Sequence, residues 1–383
     1  MLLLILAHFS HHLLAALLTP LLPFIRDDFA LDYTQVGWLV SAFMLTYGIS
    51  QLPAGWLADR LGLRTMITIG ISGVALCGLL VGLSPTYIMM VIFLMLLGIM
   101  GGGYHPAASP LVSTLVEPEK RGRALGLHQI GGTASFFLTP LIAVGIAAAL
   151  GWRGSFIVLA VPTIVFGIIL YLVLGRRGYT RKAQNKVSSE LTAGLSEAVP
   201  WRRLVPVIIL SITPQVLLFS IISFIPLFVV DYFGRGEEMA AGLLALYHSS
   251  GLWAGPLGGY LSDRMGKVPV LLAVGIIAGP VIYLLNFVSF GWSISVVLPI
   301  MGMSQYIGMP ASEAYIISNT PQRRRSTILG IYYFASRGGP GVIMPIIGYL
   351  IDNFGFNTSF TVAGAALFAV TLGCSVFLWG SRD

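Results

Sequence analysis

Charged residues are scarce in this chain. Only 10% of its 383 residues are Asp, Glu, Lys or Arg, while 56% are hydrophobic. A typical soluble domain carries about 25% charged residues. The mean hydropathy of +0.87 excludes a water-facing surface over most of the molecule. Cysteine is rarer still. Cys77 and Cys374 both sit in apolar runs, which excludes a disulfide framework and a cysteine-based zinc site. No Gly-x-x-x-x-Gly-Lys-Ser/Thr loop occurs, so nucleotide hydrolysis is not the energy source within this chain. The net charge of +7 does not indicate a nucleic-acid partner, because the basic residues lie in short loops between apolar segments. That placement is a topology signal.

Long apolar runs are what the chain does have. A membrane helix needs about 20 such residues. Polar punctuation separates twelve runs, at 2–25, 36–58, 65–83, 87–115, 122–148, 154–174, 203–230, 239–262, 267–289, 292–318, 326–350 and 356–380. Barrel strands would be shorter and would alternate in polarity. The first run has neither a basic flank nor a small-residue cleavage site, so it reads as a span and not a signal peptide. Its abrupt start is what trimming of a short N-terminal tail would leave. Prolines within the runs, such as Pro20, Pro53, Pro106 and Pro310, are tolerable where neighbouring helices satisfy the freed backbone groups.

Loops after even-numbered runs hold most of the basic residues, including Arg60, Arg64, Lys120, Arg121, Arg264 and Arg324. The opposite side holds Arg26, Arg153 and Arg235. The excess of Lys and Arg marks the cytoplasmic side and places both termini there, in a multi-pass inner-membrane protein. The basic, polar stretch at mid-chain reads as a cytoplasmic linker over 175–202, between a bundle of 1–174 and one of 203–383.

The two halves repeat. Gly55-Trp-Leu-Ala-Asp59-Arg60-Leu-Gly62 returns as Gly259-Tyr-Leu-Ser-Asp263-Arg264-Met-Gly266, 204 residues later. The same offset pairs Asp27 with Asp231, Pro106 with Pro310, Gly126 with Gly330, and Gly151, Ser155 and Phe156 with Gly355, Ser359 and Phe360. Matches at one spacing along most of a half indicate parallel six-helix repeats, as in transporters built of two such halves. The predicted fold is an all-α membrane protein of twelve transmembrane helices in two pseudo-symmetric six-helix bundles.

The loop Gly-x-x-x-Asp-Arg-x-Gly between runs 2 and 3, repeated between runs 8 and 9, resembles the signature loop of the major facilitator superfamily. The resemblance covers the whole chain and implies gating roles for Asp59, Arg60, Gly62, Asp263, Arg264 and Gly266. Small glycines let helix ends approach, while Asp and Arg supply charge-assisted bonds. A narrower likeness rests on His8-Phe9, on Tyr104-His105-Pro106-Ala-Ala-Ser109 and on the stretch from Arg121 to Gly131-Gly132. These segments resemble the fosmidomycin-resistance branch of drug exporters. Members of that branch tend to carry Asn-Asp where this chain has His11-His12, so a coupling role cannot be carried over to an acidic residue there. Thr139-Pro140 likewise stands where the exporters' Gly-Pro is expected.

An ionisable group inside a membrane is costly and therefore a site candidate. All six histidines fall within runs: His8, His11 and His12 in the first, His105 in the fourth, His128 in the fifth and His248 in the eighth. Glu313 lies in run 10 and Arg337 in run 11, spans that the resemblance makes neighbours. Runs 3, 6, 9 and 12 carry none in their interiors, and the resemblance implies that these four are peripheral. At about 1.5 Å per residue, His12 and His248 come near mid-membrane. Histidine titrates near neutrality and can load and release protons, while Arg337 suits an anionic group. Tyr47, Gln51, Gln129, Gln215, Gln305 and Tyr315 lie at similar depth and either complete such a site or join helices. His8-x-x-His11-His12 also matches one histidine box of membrane di-iron desaturases. The remaining histidines are single and scattered, so no enzyme activity is expected. No cofactor is expected either, and His8, His11 and His12 stand only as an alternative metal site.

The function these features imply is secondary active transport of a small organic solute, anionic or zwitterionic, by alternating access. Proton-coupled efflux is the leading form. Alternatives are proton-linked uptake of an organic anion and transport of a transition metal or metallophore. The expected partners are substrate, protons and the lipid bilayer, with no nucleic acid, around a monomer.

Overall fold

The computed structural model describes residues 1–117, 120–176 and 201–378. Most of the expected linker, residues 177–200, lies outside the described residues. The backbone is helical almost throughout, as apolar runs in hydrocarbon require. Only helices and closed barrels satisfy every backbone polar group there. Contacts divide the chain into two compact units, Met1–Leu31 with Trp38–Ala193 and Asp32–Gly37 with Gly194–Asp383.

In the first unit the helices are α1 (Leu2–Ala16), α2 (Leu18–Phe29), α3 (Tyr33–Leu61), α4 (Leu63–Thr68), α5 (Val74–Gly82), α6 (Tyr87–Gly101), α7 (Tyr104–Thr114) and α8 (Arg121–Arg176). A π-helical turn, Ile69–Gly73, joins α4 to α5. The first turn of α3 belongs to the second unit, which continues with α9 (Trp201–Leu227), α10 (Glu237–Ser249), α11 (Gly251–Met265), α12 (Lys267–Leu284), α13 (Trp292–Ser318) and α14 (Gln322–Leu378). Among the described residues, eight helical stretches are long and apolar enough to cross a membrane. Two of these, α8 and α14, each hold two legs that meet at a glycine, Gly151 and Gly355. The more polar runs 36–58 and 239–262 also lie on helix, in α3 and in α10 with α11. One boundary moves noticeably. The run 267–289 leaves the helix at Leu284, where successive turns close around Asn286, whose amide donates to Thr361 Oγ1 at 2.8 Å.

The repeat is visible in the backbone itself. Gly62 (φ 83°) and Gly266 (φ 90°) open α4 and α12 in the same left-handed conformation, and Gly151 (φ 71°) corresponds to Gly355 (φ 78°). Only glycine adopts these angles without strain. The Gly151 corner reverses the chain. Ser155 Oγ donates to the Ala143 carbonyl at 2.7 Å, though the two lie on opposite sides of the glycine. Arg153 fixes the corner by pairing with Asp28 at 2.6 Å and donating to the Ser84 carbonyl at 3.2 Å.

Each unit has its own core, and the two cores use equivalent positions. Ile67, Ala107, Leu111, Val112 and Leu174 pack together in the first. Their repeat counterparts Leu271, Ala311, Tyr315, Ile316 and Leu378 pack together in the second. Outward faces are apolar. Val158, Val161, Val165, Ile168 and Leu172 make an exposed stripe along the second leg of α8, and an uncovered apolar face of this kind suits lipid.

Two helix crossings depend on matched glycines. A Cβ on Gly98 would strike Thr46 Oγ1 and, at 2.5 Å, the Phe43 carbonyl. One on Gly302, the repeat counterpart of Gly98, would strike the Tyr247 carbonyl and, at 2.9 Å, Ser250 Oγ. Gly98→Val and Gly302→Val should therefore each cost about 1–3 kcal/mol by overpacking and lower the melting temperature of the purified protein. Gly145→Ala, where nothing lies within 4 Å, should not.

Candidate functional site

The first unit gathers five of the six histidines into one cluster. His8, His11 and His12 come from α1, His105 from the start of α7 and His128 from α8. His8 and His12, four residues apart, share a helix face, and their rings lie 5.0 Å apart. His105 reaches both, at 5.2 and 5.3 Å between ring centroids. His128 stacks on His8 at 4.4 Å. His11 lies 4.6 Å from His12 and 5.3 Å from His105 between ring centroids, and it stacks almost parallel on Tyr104 at 4.1 Å.

Glycines make room for this arrangement. A Cβ on Gly132 would meet the His8 ring at 2.7 Å, so α8 can approach α1 only with glycine there. A Cβ on Gly70, within the π-helical turn, would meet the Tyr104 side chain at 2.7 Å. The break at Gly102–Gly103 between α6 and α7 sets His105 on a fresh first turn.

The tautomers follow from hydrogen bonding. A carbonyl only accepts, so a ring nitrogen bonded to one carries the proton. His8 Nδ1 donates to the His128 carbonyl at 2.9 Å, His11 Nδ1 to the Gly70 carbonyl at 2.6 Å, and His128 Nδ1 to the Leu4 carbonyl at 2.9 Å. In the neutral rings the lone pairs are then on Nε2, and all three Nε2 atoms are buried. Among the described residues, the Nε2 of His128 and the hydroxyl of Tyr104 have no hydrogen-bond partner.

The second unit carries different chemistry. Gln215, the repeat counterpart of His11, donates to the hydroxyl of Tyr332, the counterpart of His128, at 2.7 Å. His248 shares a 2.9 Å hydrogen bond with the Tyr306 hydroxyl. Among the described residues, Glu313 and Arg337 do not form a direct ion pair. Glu313 lies near the Tyr333 hydroxyl, and Arg337 lies within electrostatic range of Glu313, Tyr306 and Tyr332.

The remaining sequence candidates scatter. Tyr47 and Gln51 are buried in α3, with Tyr47 at 6.4 Å from the His11 ring. Gln129 is exposed on α8. Gln305 has a buried side-chain oxygen with no hydrogen-bond partner among the described residues. Tyr315 sits in the apolar core, at the position that Leu111 fills in the first unit. In the repeated loop Arg60 stacks over Trp56 at 4.1 Å and Arg264 over Tyr260 at 5.4 Å. Asp59 and Asp263 are exposed. Sequence alone does not mark Tyr104, Tyr306, Tyr332 and Tyr333 as site residues. The repeat offset that carries His128 and Gln129 onto Tyr332 and Tyr333 is the signal that points to two of them.

Ionisable groups held inside apolar helical units, with lipid-suited outer faces, define a polytopic membrane protein. Comparison with known proteins gives its family. The model of the Major Facilitator Superfamily matches residues 4–302 and 219–383, and the chain belongs to that superfamily. It is 27% identical over 350 residues to the multidrug resistance protein MdtG of Enterobacter lignolyticus, covering 88% of this chain and 82% of that one. It is also 27% identical over 353 residues to MdtG of Salmonella typhimurium, covering 90% and 85%. A POT family transporter in complex with 5-aminolevulinic acid superposes with a TM-score of 0.80 at 14% identity, covering 98% and 95%. A D-xylose-proton symporter gives 0.75 at 16%, covering 100% and 97%. These structural likenesses show the shared fold.

The hydrogen bonds to carbonyls predict three tautomers. With 15N-labelled histidine, above the imidazole titration range, long-range nitrogen–proton correlation should show His8, His11 and His128 protonated at Nδ1. Signals assigned to Nε2–H forms at these positions would contradict the arrangement.

Proposed function

We propose that this transporter couples proton entry to export of small organic solutes, with a preference for anionic or zwitterionic molecules, by alternating access. The observation that carries the reading is the packing of five imidazoles in one buried cluster. Histidine is the side chain whose ordinary titration spans neutral pH. Five of them within reach of one another provide a place where a proton is taken up on one side and given up on the other. Arg337, held among tyrosines with Glu313 nearby, supplies a fixed positive charge for a substrate carboxylate or phosphonate and a carboxylate for proton exchange. The name of the MdtG relatives, multidrug resistance proteins, supports export as the direction. The excess of basic residues after even-numbered spans supports an inner-membrane protein with cytoplasmic termini, and the two Gly-x-x-x-Asp-Arg-x-Gly loops are assigned to switching between states.

In proteoliposomes, flux of fosmidomycin, an anionic phosphonate, should rise with an imposed pH gradient. His12→Ala should remove the gradient-driven part and leave exchange. Unchanged coupling in that variant would reject the role of the cluster. Arg337→Gln should reduce fosmidomycin transport at least tenfold while sparing a cationic probe such as ethidium. Equal loss for both would remove Arg337 from substrate recognition.

A further inference from the structure

We infer that His8, His12 and His105 form a binding site for a first-row divalent transition metal of the zinc–cobalt–nickel class, held in the first unit alone. One ring nitrogen from each lies within 4.8 Å of the other two. The set differs from the His8, His11 and His12 box that the sequence offers. His11 commits its Nδ1 to the Gly70 carbonyl and its ring to Tyr104, and His105 from α7 completes the triad with His8 and His12.

The chemistry of the donors fits a metal better than a chance meeting of rings. Imidazole nitrogen is a good ligand for zinc, nickel, copper and iron, whereas magnesium and calcium take oxygen donors. Metal-bound histidines characteristically donate their other ring N–H to a carbonyl or carboxylate, which fixes the tautomer and aims the lone pair. His8 already does so. Its Nδ1–H is held by the His128 carbonyl at 2.9 Å, so its ligand atom is Nε2. That Nε2 is buried, and the Gly132 backbone packs against the ring. A tetrahedral ion with Zn–N bonds near 2.0 Å needs nitrogens about 3.3 Å apart. The three ring nitrogens, within 4.8 Å of one another, would have to draw together by at most about 1.5 Å to reach that spacing. Two further buried polar atoms border the triad without hydrogen-bond partners among the described residues, the Tyr104 hydroxyl and the His128 Nε2. Each has the chemistry to bond a metal-bound water. Three neutral ligands leave the ion its double positive charge and an open fourth position, which takes water or an anionic donor. The site does not depend on proton-coupled export, but a bound ion occupies the lone pairs of His8, His12 and His105 that proton uptake needs, so metal and protons compete for them.

The test is Co2+ titration of the full chain, purified in detergent through a tag that contains no histidine. One equivalent should bind and give the intense visible d–d bands of a nitrogen-ligated, four-coordinate ion. X-ray absorption of the Zn2+ form should show a first shell with three nitrogens showing imidazole scattering. His105→Ala should weaken Co2+ binding at least tenfold with an unchanged melting temperature, and His248→Ala should leave it unchanged. Absence of a stoichiometric band, a shell of oxygens alone, or equal affinity in His105→Ala would overturn the assignment. If His105→Ala does not fold, the absorption spectrum of the unaltered protein decides the matter by itself.

Discussion

Hydrocarbon offers no hydrogen-bond partner, and nearly everything in this molecule answers to that constraint. The backbone is helical because a helix pairs its own amides and carbonyls. Serines and threonines turn back on the preceding turn, as Ser220 does on Val216 and Thr371 on Leu367, at 2.8 Å each. The histidines solve the same problem differently. Three of them put one ring nitrogen on a carbonyl of another helix, which ties α1 to α8 twice and to the π-helical turn once. The bonds that make buried imidazoles tolerable also decide which of their nitrogens carry a lone pair.

A two-fold repeat imposes equal helices but not equal chemistry. The corner glycines, the crossing glycines and the core positions all recur at the one repeat offset. The polar positions recur with different residues. His11 and His128 have Gln215 and Tyr332 as counterparts. The first unit therefore holds five of the six histidines. The second holds a permanent cation, a carboxylate and a set of phenols. The titratable imidazoles and the fixed cation thus stand on separate repeats.

How much of this was legible beforehand depended on range. The apolar runs, the constant repeat offset and the pair of Gly-x-x-x-Asp-Arg-x-Gly loops are local or periodic signals, and they located the helices and their order. The composition of the cluster was not legible in this way. Helical spacing puts His8 and His12 on one face, but which residue of another helix meets them depends on rotation and crossing. Those are set by Gly132, Gly70 and the break at Gly102–Gly103, and they bring His105 to His8 and His12 and lay His11 on Tyr104. The tyrosines escaped notice because phenols in an apolar run read as packing. Tyr315, whose depth left it as either a site residue or a helix-joining one, packs in the core at the position matching Leu111.

The corners at Gly151 and Gly355 join their two legs through a single residue. Such a pair has no slack, so during synthesis the second leg cannot wait outside the bilayer once the first has entered. The charges that steer the first pair sit at its far ends, Arg121, Arg123 and Arg176, and only Arg153 marks the turn itself. Each half of the chain therefore ends in a helical hairpin with a single-residue corner, and a side chain added at either glycine would strain both legs at once.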